Sequence, residues 1–309
     1  MLYALAPMDG ITDTTYRQIV KKVFETYKKK GDNLLLFTEF VSSDGLFHNF
    51  DGVKNHILYE NKEKPLIAQI FWSNLDKLIY TMEYINDNYD FDGMELNIWC
   101  PSPKIMKLWA WSALLKDKEK TLEIVKTLSE KSTKPFSIKT RAWLNDEDKK
   151  EQKEFIIKIS NYCNMISIHA RTMKQSHSWE VDVDYVLDVK KKVNKNCKII
   201  FNWWITKEKL SDKDFMKKMG KLDGLMIWQS AIWNPWIFVE HQPDWKEKKQ
   251  IILEHLDLNI KYKWERKGLV EFRKFIWTYI KGIDNASKYR LELMQSQTLG
   301  EFKKVLDEI

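Results

Sequence analysis

Eight short apolar runs rich in β-branched residues recur through the first 240 positions, and longer Lys/Glu-rich stretches with helical periodicity lie between them. The runs are Leu2–Met8, Leu34–Phe40, Pro65–Phe71, Gly93–Ile98, Phe136–Thr140, Met165–Ala170, Lys198–Asn202 and Gly224–Ile227. The clearest helical segments are Thr14–Lys29, Leu75–Asn88, Lys118–Ser132, Asp146–Tyr162 and Asp184–Val193. Strands alternating with helices require parallel pairing through helical crossovers. Even spacing of eight units, with no GxGxxG after the first strand, favours a closed (β/α)8 or TIM barrel over an open doubly wound sheet. After Pro243 the strands stop, and Trp245–Lys263, Leu269–Lys281 and Ala286–Ile309 read as three helices. The expected fold is therefore α/β: a TIM barrel over residues 1–240 with a C-terminal all-α helical domain over 241–309.

Composition narrows the class further. With 44% hydrophobic and 31% charged residues the chain has the make-up of a soluble globular protein. No run approaches the ~18 apolar residues of a membrane span, and the opening MLYALAP lacks the basic and long apolar regions of a leader, so a cytoplasmic protein with no membrane partner is expected. Cys100, Cys163 and Cys197 form no CxxC pair, which argues against a disulfide framework and a zinc ribbon, and no metal is expected. The net charge is +7, and residues 241–309 carry +3 of it. That surplus permits a polyanionic partner without identifying one. A monomer is expected.

Barrel chemistry sits where strands end, so the residues closing each run matter most. They are Pro7-Met8-Asp9, Glu39, Gln69, Asn97 leading to Cys100, Lys139-Thr140-Arg141, His169-Ala170-Arg171, Asn202-Trp203-Trp204 and Trp228-Gln229. Gln69 can be satisfied by core hydrogen bonds or by a flat heterocyclic ligand. Lys139 is harder to place as structure, because a buried ammonium without a partner is costly. His169 serves equally as a core histidine or as a ligand contact. Cys163 and Cys197 read as small packed hydrophobes. Cys100 lies beyond a strand end, where a mostly protonated thiol can donate a proton.

Five motifs stand in order along the chain: Ala6-Pro7-Met8-Asp9-Gly10-Ile11-Thr12-Asp13, Leu96-Asn97-Ile98-Trp99-Cys100-Pro101-Ser102-Pro103, Lys139-Thr140-Arg141, Ile168-His169-Ala170-Arg171-Thr172 and Asn234-Pro235-Trp236. Together they resemble the tRNA-dihydrouridine synthase family. The resemblance implies an FMN-bearing barrel that reduces uridines of tRNA to 5,6-dihydrouridine with NADPH, and a helical tail that helps hold the tRNA. It implies that Pro7, Met8 and Asp9 line the flavin, that Gln69 and Lys139 meet its pyrimidine edge, and that His169 contacts it. Asn202, Trp203, Trp204, Trp228 and Gln229 would hold its phosphate, Asn97 and Arg171 would meet the substrate, and Cys100 would protonate C5 of a flipped-out uracil. Two alternatives remain: an FMN barrel acting on a small molecule, of the dihydroorotate dehydrogenase type, and a catalytically dead tRNA-binding protein.

One departure is systematic. Glycine numbers 10 and tryptophan 14. The resemblance places glycine where this chain has Trp72, Trp99, Trp109, Trp111, Trp143, Trp179, Trp203, Trp204, Trp228 and Trp233, and also at Trp264 and Trp277. Trp236 belongs to its motif and reads as a true tryptophan. Restoring twelve glycines would raise the glycine content from about 3% to about 7%, the ordinary value. A gene that uses UGA for glycine, translated with UGA as tryptophan, accounts for the pattern. Gln229, where the family commonly has Arg, is a second departure.

Overall fold

The computed structural model describes all residues except 72–73, 99–116, 143–147, 172–180 and 233. Eight parallel strands close on themselves: β1 (Leu2–Leu5), β2 (Asn33–Phe37), β4 (Leu66–Phe71), β5 (Gly93–Asn97), β6 (Phe136–Arg141), β7 (Met165–His169), β8 (Lys198–Trp203) and β9 (Gly224–Ile227). β1 pairs with both β2 and β9, and β2 pairs with β4, which completes the ring. A two-residue strand, β3 (Val41–Ser42), lies along the end of β4. All eight expected strands are present.

Strands such as β4, β5, β7 and β9 are buried on both faces, which is why their runs read as nearly continuously apolar. The interior is filled by alternate side chains: Ala4, Ala6, Phe37, Ile67, Met165, Ile200 and Met226 form one buried cluster. Gly224 admits the close approach of β9 to β1, since a Cβ there would lie 2.7 Å from the Leu2 carbonyl. The helix Leu75–Asn88 shows how the sequence sets its ends and faces. Asn74 accepts from the Lys77 N–H at 3.0 Å as N-cap, and Leu78, Thr81, Met82 and Ile85 are buried at helical spacing.

The described chain forms two compact units. One unit comprises residues 1–13 and 31–228, the other 14–30 and 229–309. The helix Thr14–Tyr27 belongs with the C-terminal helices because Tyr16 is buried among them: its hydroxyl donates to the Ala231 carbonyl and its ring stacks on Phe275 at 5.2 Å. In that unit the long helix Trp245–Lys263 packs on Glu265–Tyr279 around Leu256, Phe272 and Phe275.

The expected helix Ala286–Ile309 is instead two, Ala286–Gln295 and Leu299–Asp307. Thr298 breaks the run by accepting from the Glu301 N–H at 3.2 Å, while Glu301 accepts from the Gln297 N–H at 2.7 Å. The Thr-x-x-Glu spacing is a helix-start signal, so the second beginning was readable. Among the described residues no helix is long and apolar enough to cross a membrane.

Two tryptophans of this unit contrast. Trp236 is buried and its indole N–H donates to Glu247 at 2.9 Å, as a core tryptophan should. Trp264, between the helices Trp245–Lys263 and Glu265–Tyr279, adopts φ 71° and ψ 156° and is 84% exposed. That backbone region is almost exclusive to glycine.

Candidate active site

The C-terminal halves of β4 to β7 bring four polar side chains and one hydroxyl to neighbouring levels of the barrel. In register, Gln69 pairs with Glu95, Asn97 with Lys139, and Lys139 with Ser167. Alternation along the strands turns these residues toward the interior on the same side as Ile67, Met165 and Ile200. Gln69 and Glu95 are fully buried, and Asn97 nearly so.

Their hydrogen bonds form a directed chain. Asn97 Nδ2 donates to Gln69 Oε1 at 3.0 Å, Gln69 Nε2 donates to Glu95 Oε2, and Ser167 Oγ donates to Glu95 Oε1 at 3.4 Å. The Lys139 charge acts on the same carboxyl. Core partners therefore supply part of what the sequence assigned to a ligand. Two bonds take half the capacity of the Gln69 amide, and Glu95 provides Lys139 with a counter-charge. Sequence reading passed over Glu95, although a carboxylate inside Gly-Met-Glu-Leu-Asn-Ile carries the same signal that marked Lys139.

The arc continues around the barrel. His169 ends β7 opposite Asn202 of β8, and both are buried. Asn202 Nδ2 donates to the Met226 carbonyl at 3.2 Å. The Trp228 ring lies 5.8 Å from the His169 ring and packs against the barrel core. Arg171 is buried just past β7, its N–H donating to the His169 carbonyl at 2.8 Å.

At the end of β1, Pro7 and Met8 are buried and Asp9 is exposed. The turn is closed by Met8 N–H donating to Thr12 Oγ1 at 2.8 Å, and Glu39 accepts from the Gly10 N–H. Cys100 lies outside the described residues. Gln229 begins a segment of the second compact unit. Among the described residues no three His, Cys, Asp or Glu side chains cluster as metal ligands.

The donor set can be tested against FMN. Two amides and an ammonium along one interior face suit the polar edge of a flavin ring, and that end fits. The phosphate end does not fit as the sequence stands. Phosphate needs backbone N–H groups within reach, as glycine allows. Here the Trp228 N–H donates to the Trp203 carbonyl at 3.3 Å, and indoles crown the ends of β8 and β9. The Trp203 indole N–H is buried without a hydrogen-bond partner, while Trp204 is 42% exposed.

A closed parallel barrel whose buried polar groups gather toward the C-terminal strand ends is the architecture of (β/α)8-barrel enzymes. The sequence profile of the family described as Dihydrouridine synthase (Dus) matches residues 4–309, and the chain belongs to that family. Similar curated proteins include a probable tRNA-dihydrouridine synthase of Staphylococcus epidermidis, 26% identical over 316 residues and covering 99% of this chain and 92% of that one. Another is a probable tRNA-dihydrouridine synthase of Helicobacter pylori strain J99, 29% identical over 313 residues and covering 99% and 90% respectively.

Proposed function

We propose that this chain is a tRNA-dihydrouridine synthase, reducing the 5,6 double bond of uridines in tRNA. Membership of the family over nearly the whole chain supports the activity. The single structural observation that carries it is the Asn97, Gln69, Glu95 and Lys139 network inside the barrel. FMN, once bound and reduced by NADPH, would supply the hydride that C6 of the pyrimidine requires. Gln69 and Lys139 would hold the ring edge, where the ammonium would offset negative charge, and His169 would contact the ring. Pro7, Met8 and Asp9 border it from the end of β1. Asn97 and Arg171 orient the uracil, and the Cys100 thiol delivers a proton to C5. The net positive helices after residue 240 grip tRNA phosphates, which supports extrusion of the target base.

This function requires a phosphate cradle at Asn202, at positions 203, 204 and 228, and at Gln229. The proposal therefore includes glycine at 203, 204 and 228 in the protein as its own cell makes it. The decisive experiment incubates that protein with FMN, NADPH and tRNA lacking dihydrouridine, then measures dihydrouridine in the RNA. Formation that depends on all three supports the assignment. A colourless protein that takes up no FMN and leaves the tRNA unchanged refutes it.

A further inference from the structure

Glu95 is the one carboxyl in the buried network, and its hydrogen bonds go beyond the counter-charge it offers Lys139. It sits on β5, fully buried, with one oxygen accepting from Gln69 of β4 and the other from Ser167 of β7. An ionised carboxylate only accepts hydrogen bonds, so the group facing it must donate. Gln69 consequently turns its NH2 toward Glu95 and its oxygen toward Asn97, whose Nδ2 donates to it. If the amide were reversed, two acceptors would face each other at Glu95 and two donors at Asn97. One buried charge thus fixes the direction of two amides.

We propose that Glu95 is a positioning residue: its carboxylate sets the orientation of the Gln69 amide and balances the Lys139 ammonium, so that β4 and β6 offer the flavin edge a fixed donor and acceptor pattern. The flavin part of this inference rests on the function proposed above; the hold on Gln69 does not. A structural counter-ion for Lys139 would need only charge, whereas the positioning role needs an acceptor at the Gln69 amide as well. Burial pushes the Glu95 carboxyl up to about 7, against the Gln69 hydrogen bond, the Lys139 charge and the Ser167 hydroxyl, which lower it. Lys139 of β6 is the charged group acting on it; β4 and β7 present Gln69 and Ser167, neither of which titrates. Protonation puts a donor on the carboxyl and removes the constraint on the amide.

The test compares the full-length protein with Glu95→Gln, which keeps shape and an acceptor oxygen, and Glu95→Ala, which removes both. In flavin-free protein the Gln69 side-chain amide is followed by NMR. Its resonances should move between about pH 5 and pH 9 in the parent and stay fixed in Glu95→Gln. Its hydrogen-exchange protection should fall about tenfold or more in Glu95→Ala.

With FMN added, Glu95→Ala should bind about tenfold more weakly. Glu95→Gln should bind near the parent level with a more positive flavin midpoint potential, because Lys139 has lost its counter-charge. Identical Gln69 amide behaviour in all three proteins overturns the proposal. A counter-ion role alone would show as equal weakening in both variants with unchanged Gln69 protection, and that also overturns it. If the parent takes up no FMN, the proposed function fails separately, and the flavin-free spectra still decide whether Glu95 holds Gln69.

Discussion

Replacing Trp264 by glycine should stabilise the protein, which is the reverse of what removing a large aromatic normally does. At φ 71° and ψ 156° the backbone sits where a Cβ is strained, a cost of about 1–3 kcal/mol for a residue other than glycine. The residue is 84% exposed, so little buried area is lost with it. No side-chain cap bond to the following helix is lost either. Glycine's extra freedom in the unfolded chain takes back up to about 1 kcal/mol. With the full offset the net expectation is a gain of up to about 2 kcal/mol, read as a higher urea midpoint at unchanged slope. Trp236→Gly is the matched control. That indole is buried and hydrogen-bonded to Glu247, and its removal should cost about 3–5 kcal/mol or prevent folding. Mass spectrometry of the peptide around position 264, from cells expressing their own gene, gives the independent check: glycine is expected there. A Trp264→Gly protein that is less stable than the parent, or an authentic peptide carrying tryptophan, would refute the reasoning.

Three further outcomes are expected. An ordinary carboxyl near 4.5 that stands at about 7 in the folded protein holds its proton more tightly when folded. Its contribution is present below 4.5 and lost as pH rises to about 7, worth about 3 kcal/mol in all. Glu95→Gln should therefore gain on the parent by about that amount between pH 5 and pH 8 in paired denaturation curves, and a constant difference would be inconsistent with a buried titrating Glu95. Cys100→Ala should lower dihydrouridine formation by about a hundredfold or more while tRNA affinity stays within about twofold; equal rates would remove Cys100 as the acid. Neutralising the exposed Arg266 and Lys281 should flatten the dependence of tRNA affinity on salt by roughly 0.7–0.9 in log–log slope for each phosphate left without its cation. An unchanged slope would move the RNA-binding surface elsewhere.

What the sequence made legible divides along physical lines. Strand runs such as Leu66–Phe71 and Met165–His169 are buried on both faces, so uninterrupted apolar character announced them. Helix Leu75–Asn88 is bounded by its own Asn74 cap, and its limits were readable to the residue. Interaction between distant segments was not legible. Nothing in Thr14–Tyr27 says that Tyr16 packs with Phe275 and His255 more than two hundred residues away.

The site shows the same limit at finer scale. Gln69 and Lys139 stood out because polar groups in apolar strands demand partners, but the partner, Glu95, lies 26 positions beyond Gln69 and becomes its neighbour only through the register of β4 with β5. Once that register is known, the direction of the hydrogen bonds follows from the chemistry of a carboxylate. The tryptophans make the converse case. Their excess over glycine was visible in composition alone, and the Asn-Pro-Trp motif set Trp236 apart; the structure adds the physical reason, with Trp264 in a conformation suited to glycine and Trp236 using its indole in the core. If positions 203, 204 and 228 share the codon of position 264, glycine there would supply the bare backbone that a phosphate needs. A strained turn in the helical unit and the cradle at the barrel mouth are then two consequences of one codon assignment.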